Sequence, residues 1–324
     1  MAFQYPRTVV SGPALKRLQS DEGEVGVFWI GEINEEVVPR TSLFITDPPY
    51  NIGVEYGSIS DRKTAEEYRD VIGEVLEACH RSASENAHLF LIHYPEAVAN
   101  LWPTITEHWE FKQWITWVYP SNRGRSKNKW TRGQRVVLWL TKGKPDFEPK
   151  GVLQRFKNLT DRRVKGHMAN GLRGVPLYDW WEIPQVMNSN KEYRGYENQI
   201  PSELLRRIIL CASKPGDWVG DPFSGSFSTS RTALGLGRRA WGCDINKDVS
   251  KYIPESVEWV KRQDDGGAMV IDSDQYDEVL KHITPEQLDN SLFKLLANAG
   301  IDELTEIIGP VNGPRVYSAI HEQE

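Results

Sequence analysis

Residues 216–244 constrain the fold more tightly than any other stretch. Gly216-Asp217-Trp218-Val219-Gly220-Asp221 reads as a short strand, and Pro222-Phe223-Ser224-Gly225-Ser226 as a small-residue loop behind it. A helix is expected next, capped by Ser228, Thr229 or Ser230, with Ala233, Leu234 and Leu236 along it until Gly235 and Gly237 break it. A second strand, Arg239-Ala240-Trp241-Gly242-Cys243, ends in Asp244. This strand–loop–helix–strand–acid unit is how a doubly wound α/β sheet holds a nucleoside. The loop lets the backbone approach closely, and the acid accepts from ribose hydroxyls. The loop carries neither G-x-G-x-x-G nor G-K-[ST], so neither a nicotinamide dinucleotide nor a nucleoside triphosphate is favoured. A nucleoside without a phosphate chain fits better, and S-adenosylmethionine is the common one.

The second informative segment lies far upstream. Leu43-Phe44-Ile45-Thr46 reads as a buried strand ended by Asp47-Pro48-Pro49-Tyr50. Such a turn presents a carboxylate, a carbonyl freed from regular pairing and an aromatic face to one point. That trio suits a planar group bearing an exocyclic NH2. Asp47 and the Pro48 carbonyl accept its two N–H bonds while the Tyr50 ring stacks on the plane. An ordinary exposed turn is the bland alternative.

Together the two segments resemble the amino-group DNA methyltransferases. Their order, with D-P-P-Y first, a target-recognition region second and the F-x-G-x-G loop last, is similar to the β-class. The resemblance covers roughly residues 25–262 and includes Trp117-Val118-Tyr119, Val136 to Lys142 and Glu197-Asn198-Gln199-Ile200-Pro201. The last is similar to the family's cofactor-side H-P-x-x-K-P, with Tyr196 at the histidine position and Ile200 at the lysine position. The resemblance implies a Rossmann-like methyltransferase sheet, circularly permuted so that the catalytic motif precedes the cofactor loop. It implies S-adenosyl-L-methionine as methyl donor and double-stranded DNA as partner, with the target base flipped out of the duplex. The catalytic residues would be Asp47, Pro48, Pro49 and Tyr50. Phe223, Ser224, Gly225 and Ser226 would line the methionine and adenosine path, with Asp221 at the methionine amino end and Asp244 at the ribose. Glu32, after a strand at Val25 to Ile30, stands where the family often has an acid near the adenine. The chemistry is positioning and electrostatics, without a metal. Adenine N6 is favoured over cytosine N4, because the cytosine enzymes more often carry serine at the position of Asp47.

One departure stands out. Phe227 occupies the place of the loop's second glycine, where glycine permits positive φ and lets a ligand touch the backbone. The phenylalanine either disturbs cofactor binding or turns its ring away with the loop intact. An active enzyme is expected, and a catalytically silent DNA-binding relative is the alternative. A transferase acting on RNA or on protein amide nitrogen is opposed by the motif order.

A net charge of −6 looks wrong for a DNA binder until it is mapped. From Arg123 to Arg173 there are fifteen Lys/Arg, Arg135 among them, against Asp146, Glu148 and Asp161. Arg123, Arg125, Lys127, Lys129, Arg132, Arg162, Arg163 and Lys165 are the phosphate-contact candidates. Trp130, Trp180 and Trp181 in and near this region are expected in the core rather than as base-stacking platforms.

The expected organisation is a catalytic half at 1–142, a target-recognition region at 143–190, a cofactor half at 191–262 and a helical appendage at 263–324. Helices are expected over Tyr68 to Cys79 and Leu204 to Ala212, and further strands at Leu89 to Ile92, Trp114 to Tyr119 and Val136 to Thr141. Ile307 to Gly313 is similar to a helix–hairpin–helix turn. Yet residues 264–324 hold thirteen acids against three Lys/Arg, which favours packing or dimerisation over phosphate contact. No 18-residue apolar run and no signal-peptide pattern occur, and Cys79, Cys211 and Cys243 lack metal-ligand spacing. A cytoplasmic protein with reduced thiols and no membrane contact is expected. A homodimer and a companion restriction endonuclease are open as partners.

Overall fold

Thr41–Thr46 joins β-branched and apolar residues in a run buried almost throughout, which suits a strand covered on both faces. In the computed structural model it is the central strand of a nine-stranded sheet. The structure describes residues 15–21, 23–51, 55–56, 59–60, 62–119, 127–128, 130–154, 156, 158, 160–169, 174–256 and 269–271. They fall into two compact units, one of Met1–Glu148 with Tyr178–Ala268, the other of Pro149–Leu177 with Met269–Glu324.

In chain order the first unit contains β1 (Lys16–Ser20), β2 (Gly23–Ile30), β3 (Thr41–Thr46), α1 (Ala65–Ser82), β4 (Ala83–His93), α2 (Pro95–Ile105), β5 (Glu110–Val118) and β6 (Gln134–Lys142). It continues with β7 (Trp180–Glu182), α3 (Ser202–Ala212), β8 (Trp218–Asp221), α4 (Ser228–Gly235) and β9 (Arg239–Asp244). The sheet order is β1-β2-β9-β8-β3-β4-β6-β5-β7. Strands β2, β9, β8, β3 and β4 run parallel, and β6 is antiparallel to both β4 and β5. Strands β8 and β9, late in sequence, therefore insert between β2 and β3, two strands that come early. A Rossmann-like α/β sheet is what the sequence leads one to expect.

Alternation along the strands sorts side chains to two faces. Phe44, Trp29, Trp241, Leu89 and Leu138 gather with Ile72 and Leu76 of α1 and Leu101 of α2 into one core. Trp29 and Trp241 stack at 5.8 Å, and the Trp241 indole donates to Thr41 Oγ1 at 2.8 Å. Gly220 makes this possible, because a Cβ there would stand 2.2 Å from the Trp241 ring. Helix α1 begins with a reciprocal capping box between Thr64 and Glu67, which satisfies two of its free N–H groups.

Several expectations change. Helix α4 is not capped by a serine or threonine; Phe227 occupies its N-cap position without a side-chain cap. Trp180–Glu182, placed by sequence in the recognition region, pairs with Thr116–Val118 of the main sheet. The separate unit starts at Pro149, later than 143, and closes at Leu177, earlier than 190. It holds strands Val152–Gln154 and Val175–Pro176 and helix Arg162–Ala169. Met269–Ile271 joins it as a strand parallel to Val152–Gln154, within a stretch expected to be helical; the rest of 263–324, including the Ile307 to Gly313 turn, lies outside the described residues. Trp130 and Trp180 are not core, at 97% and 51% exposure, whereas Trp181 is buried. Neighbouring residues on a strand face opposite ways, so only one of the pair on β7 can turn inward, and Arg207 lies over its ring at 5.6 Å. Cys79, Cys211 and Cys243 are buried free thiols. Among the described residues no helix is long and apolar enough to cross a membrane.

Candidate active site

Three adjacent parallel strands end in acids. Asp47 follows β3, Asp221 ends β8 and Asp244 ends β9. Ligands of doubly wound sheets bind outside these carboxyl ends, and a cavity open to solvent lies there. Asp47, Pro48, Pro49 and Tyr50 line it together with Asp221, Phe223, Ser224, Gly225, Ser226 and Asp244. The two sequence segments thus share one chamber. Glu32 is the exception: it is exposed and is not among the lining residues, its carbonyl accepting from the Trp29 indole at 2.8 Å.

The Asp47 turn is braced from behind. The Tyr50 hydroxyl donates to the Asp47 carboxylate, 2.5 Å from Oδ1 and 2.7 Å from Oδ2, a contact the sequence did not reveal. Tyr68 Oη donates to the Pro49 carbonyl at 2.5 Å and sits 2.6 Å from His93 Nε2. Because His93 Nδ1 accepts from the Tyr94 N–H at 2.7 Å, a neutral ring carries its proton on Nε2 and donates it to Tyr68. Burial holds the His93 pKa down to about 4, with Arg135 and Arg132 adding to the effect, so the ring is neutral at physiological pH. Tyr68 and His93 carry no motif that would have marked them in the sequence.

Burial pushes Asp47 up to about 6, opposed by the charge of Arg135 and by the Tyr50 hydrogen bond. It pushes Asp221 up to about 7, with Thr229 and the Phe223 N–H opposing and the charges of Asp47 and Asp244 adding. Asp244 is raised by burial as well, while the Asn246 and Gly225 N–H groups hold it down. A half-dry chamber with three carboxylates favours a cationic ligand.

The loop itself is tightly held. Asp244 Oδ2 accepts from the Gly225 N–H at 2.8 Å and Oδ1 from the Asn246 N–H at 2.8 Å. Gly225 has φ +47°, and a Cβ there would stand 2.9 Å from the Tyr196 hydroxyl. Arg231 donates to the carbonyls of Ser226 and Tyr252. Phe227 adopts φ +55°, the left-handed conformation a glycine would have supplied. Its ring is 0% exposed, meets Phe28 edge-on at 6.0 Å and does not line the cavity. The loop shape is kept and the ring turns into the core. Phe227→Gly is therefore expected to destabilise the protein by about 2–4 kcal/mol: the lost ring outweighs roughly 1 kcal/mol of relieved backbone strain. Urea denaturation measures this, and a stabilised variant would contradict it.

Of the basic candidates, Lys127 and Arg132 are exposed between β5 and β6. The Arg132 guanidinium lies 3.9 Å over the Tyr94 ring and 3.1 Å from Glu96. Arg123, Arg125 and Lys129 lie outside the described residues. Arg162 and Arg163 are exposed and Lys165 half-buried on helix Arg162–Ala169 of the other unit. Arg135, counted with the basic stretch, is buried and cannot meet a phosphate.

The sequence profile of a family described as DNA methylase matches residues 41–255. The DNA adenine methyltransferase YhdJ of Escherichia coli K12 is 27% identical over 252 residues, covering 76% of this chain and 80% of that protein. The type II methyltransferase M.HpaI of Haemophilus parainfluenzae is 28% identical over 218 residues, covering 67% and 68%. Among solved structures, the PvuII DNA methyltransferase (cytosine-N4-specific) shares the fold with a TM-score of 0.55 at 16% identity, covering 78% of this chain and 95% of that one. The chain belongs to the N6/N4 DNA methylase family, enzymes that transfer a methyl group from S-adenosylmethionine to an exocyclic amino group of DNA.

Proposed function

We propose that the chain methylates the N6 amino group of an adenine flipped out of a specific duplex sequence. The observation that carries this is the shared chamber, lined by Asp47, Pro48 and Tyr50 together with Asp221, Gly225 and Asp244. The chamber fits the donor: the buried carboxylates of Asp47, Asp221 and Asp244 suit a sulfonium and an ammonium. When bound, S-adenosylmethionine supplies an electrophilic methyl carbon. Asp221 would meet the methionine ammonium, Asp244 would accept from the ribose, and Phe223, Ser224 and Ser226 would complete the lining. Glu32, exposed and off that wall, is left without a role.

Asp47, ionised above about pH 6, and the Pro48 carbonyl accept the two N–H bonds of the base. They aim the nitrogen and oppose the positive charge that develops on it. Among the described residues nothing donates to the Pro48 carbonyl, whereas that of Pro49 is taken by Tyr68. Tyr50 offers its ring for stacking. The incoming amino group takes the carboxylate oxygens that the Tyr50 hydroxyl holds in its absence.

Adenine is preferred on Asp47 and on the name of the YhdJ relative. The unit holding Pro149–Leu177 is proposed to read the sequence, with Lys127, Arg132, Arg162, Arg163 and Lys165 meeting phosphates. A companion endonuclease is proposed from the type II naming of M.HpaI. Digesting DNA from cells expressing the protein to nucleosides, followed by mass analysis, should reveal N6-methyldeoxyadenosine. N4-methyldeoxycytidine instead would overturn the base assignment, and neither product would overturn the enzyme.

A further inference from the structure

Strand β6 runs Gln134-Arg135-Val136-Val137-Leu138-Trp139-Leu140, and its second residue is a charge in an otherwise apolar buried run. Arg135 is 1% exposed. Its guanidinium carbon stands 4.7 Å from the Tyr50 ring centroid, 5.2 Å from Trp117, 5.5 Å from Tyr94 and 5.6 Å from Tyr119. Nη1 is 3.9 Å from Asp47 Oδ2, Nη2 donates to Asn198 Oδ1 at 3.3 Å, and Nε has no hydrogen-bond partner among the described residues. Burying a guanidinium with one N–H unmet is costly, and a methionine or leucine would fill the space without that cost. Packing alone gives no reason for an arginine here. The carboxylate within its reach is that of Asp47.

Arg135 is not part of the cavity wall, so it acts on Asp47 and Tyr50 from behind and leaves their cavity sides to ligand. We propose that Arg135 is a positioning residue for methyl transfer: it holds the Asp47 carboxylate as an ionised acceptor and fixes the Tyr50 ring within a box of Tyr94, Trp117 and Tyr119. This rests on the assignment of Asp47 to the base amino group. Among the described residues the charged and titratable groups facing Asp47 are Arg135, Tyr50 and Asp221; those facing Arg135 are Asp47, Tyr50, Tyr94, Tyr119 and the neutral His93, with Arg132 stacked on Tyr94. Arg135 is the largest influence opposing burial at Asp47. Once the base amino group displaces the Tyr50 hydroxyl, the guanidinium is the support that remains.

The test compares Arg135→Gln and Arg135→Lys with the wild type. The Asp47 carboxyl is followed by NMR in protein labelled at aspartate carboxyl carbons, with Asp47→Asn giving the assignment, and kcat and KM are measured across pH. In Arg135→Gln the Asp47 midpoint should rise by about one pH unit or more, and the acid limb of kcat should move with it. The kcat at pH 7 should fall roughly tenfold or more, with the KM for S-adenosylmethionine within about twofold. Arg135→Lys should return the midpoint to within about half a unit while recovering only part of kcat, since an ammonium lacks the planar stacking surface. A folded Arg135→Gln protein of wild-type Tm with an unmoved Asp47 midpoint would overturn the proposal. If that variant does not fold, Arg135→Lys decides, a midpoint near wild type supporting and a rise of about a unit overturning it. The carboxyl titration needs no DNA. A wild type that transfers no methyl would refute the functional reading while leaving the Arg135 proposal still testable.

Discussion

Asp47→Ala lowers kcat by at least about 10³-fold while changing the Kd for S-adenosylmethionine by less than about threefold. The carboxylate is hydrogen-bonded by Tyr50, and among the described residues no hydrogen bond ties it to the Phe223–Ser226 loop, so cofactor binding has little reason to change. Stability should fall: removing the carboxyl relieves a desolvated acid, but it strips the Tyr50 hydroxyl of its acceptor and leaves the buried Arg135 guanidinium without the carboxylate 3.9 Å away. In the wild type, kcat should fall as pH drops through about 6, because a protonated Asp47 turns an acceptor into a donor toward the base amino group. Radiolabelled methyl transfer and calorimetric titration with the donor read the two quantities separately. Full activity in the alanine variant would remove Asp47 from the mechanism.

Asp221→Asn weakens S-adenosylmethionine binding by roughly 10²-fold and makes the ligand-free protein more stable above pH 7. The folded-state pKa of Asp221, about 7, exceeds the ordinary aspartate value. The stability linked to this group is fully present below the unfolded pKa and is lost as pH rises through the folded one. Asparagine never charges and keeps the Phe223 N–H bond, which in the wild type runs 3.1 Å to Asp221 Oδ1. The variant should gain on the order of 1–3 kcal/mol at pH 8 and nothing at pH 4. Urea denaturation at both pH values tests this, together with a donor titration in which wild-type affinity falls below pH 7 and the variant's does not. An asparagine variant that binds the donor as tightly as wild type would show that no ammonium sits there. A variant that is stabilised but binds the donor weakly illustrates a site kept charged at the expense of stability.

The chemistry-bearing segments were legible because each is local. A strand cut by Pro48-Pro49 declares itself within a few residues, and a strand followed by Ser224-Gly225-Ser226 and closed by Asp244 within the single stretch 216–244. The supports were not legible, because they come from sheet neighbours far away in sequence. Arg135 reached Asp47 only once β6 had paired with β4 and β5, and composition alone counted it as one more charge of the basic stretch. Tyr68 met Pro49 through the packing of α1. Phe227 shows a different limit: sequence marked the missing glycine, but only the surrounding core, with Phe28 at its edge, decides which way the ring goes. Glu32 was carried by position alone, and the structure places it off the wall.

The middle strand β3 bonds to β4 on one flank and to β8 on the other. Its first neighbour leaves the ribosome soon after it, whereas residues 218–221 emerge much later. Throughout that interval a nascent chain carries an open, apolar edge at Thr41–Thr46, a template for pairing with other chains. Products truncated before Trp218 should accordingly be aggregation-prone rather than partly competent, and dependent on chaperones while synthesis continues.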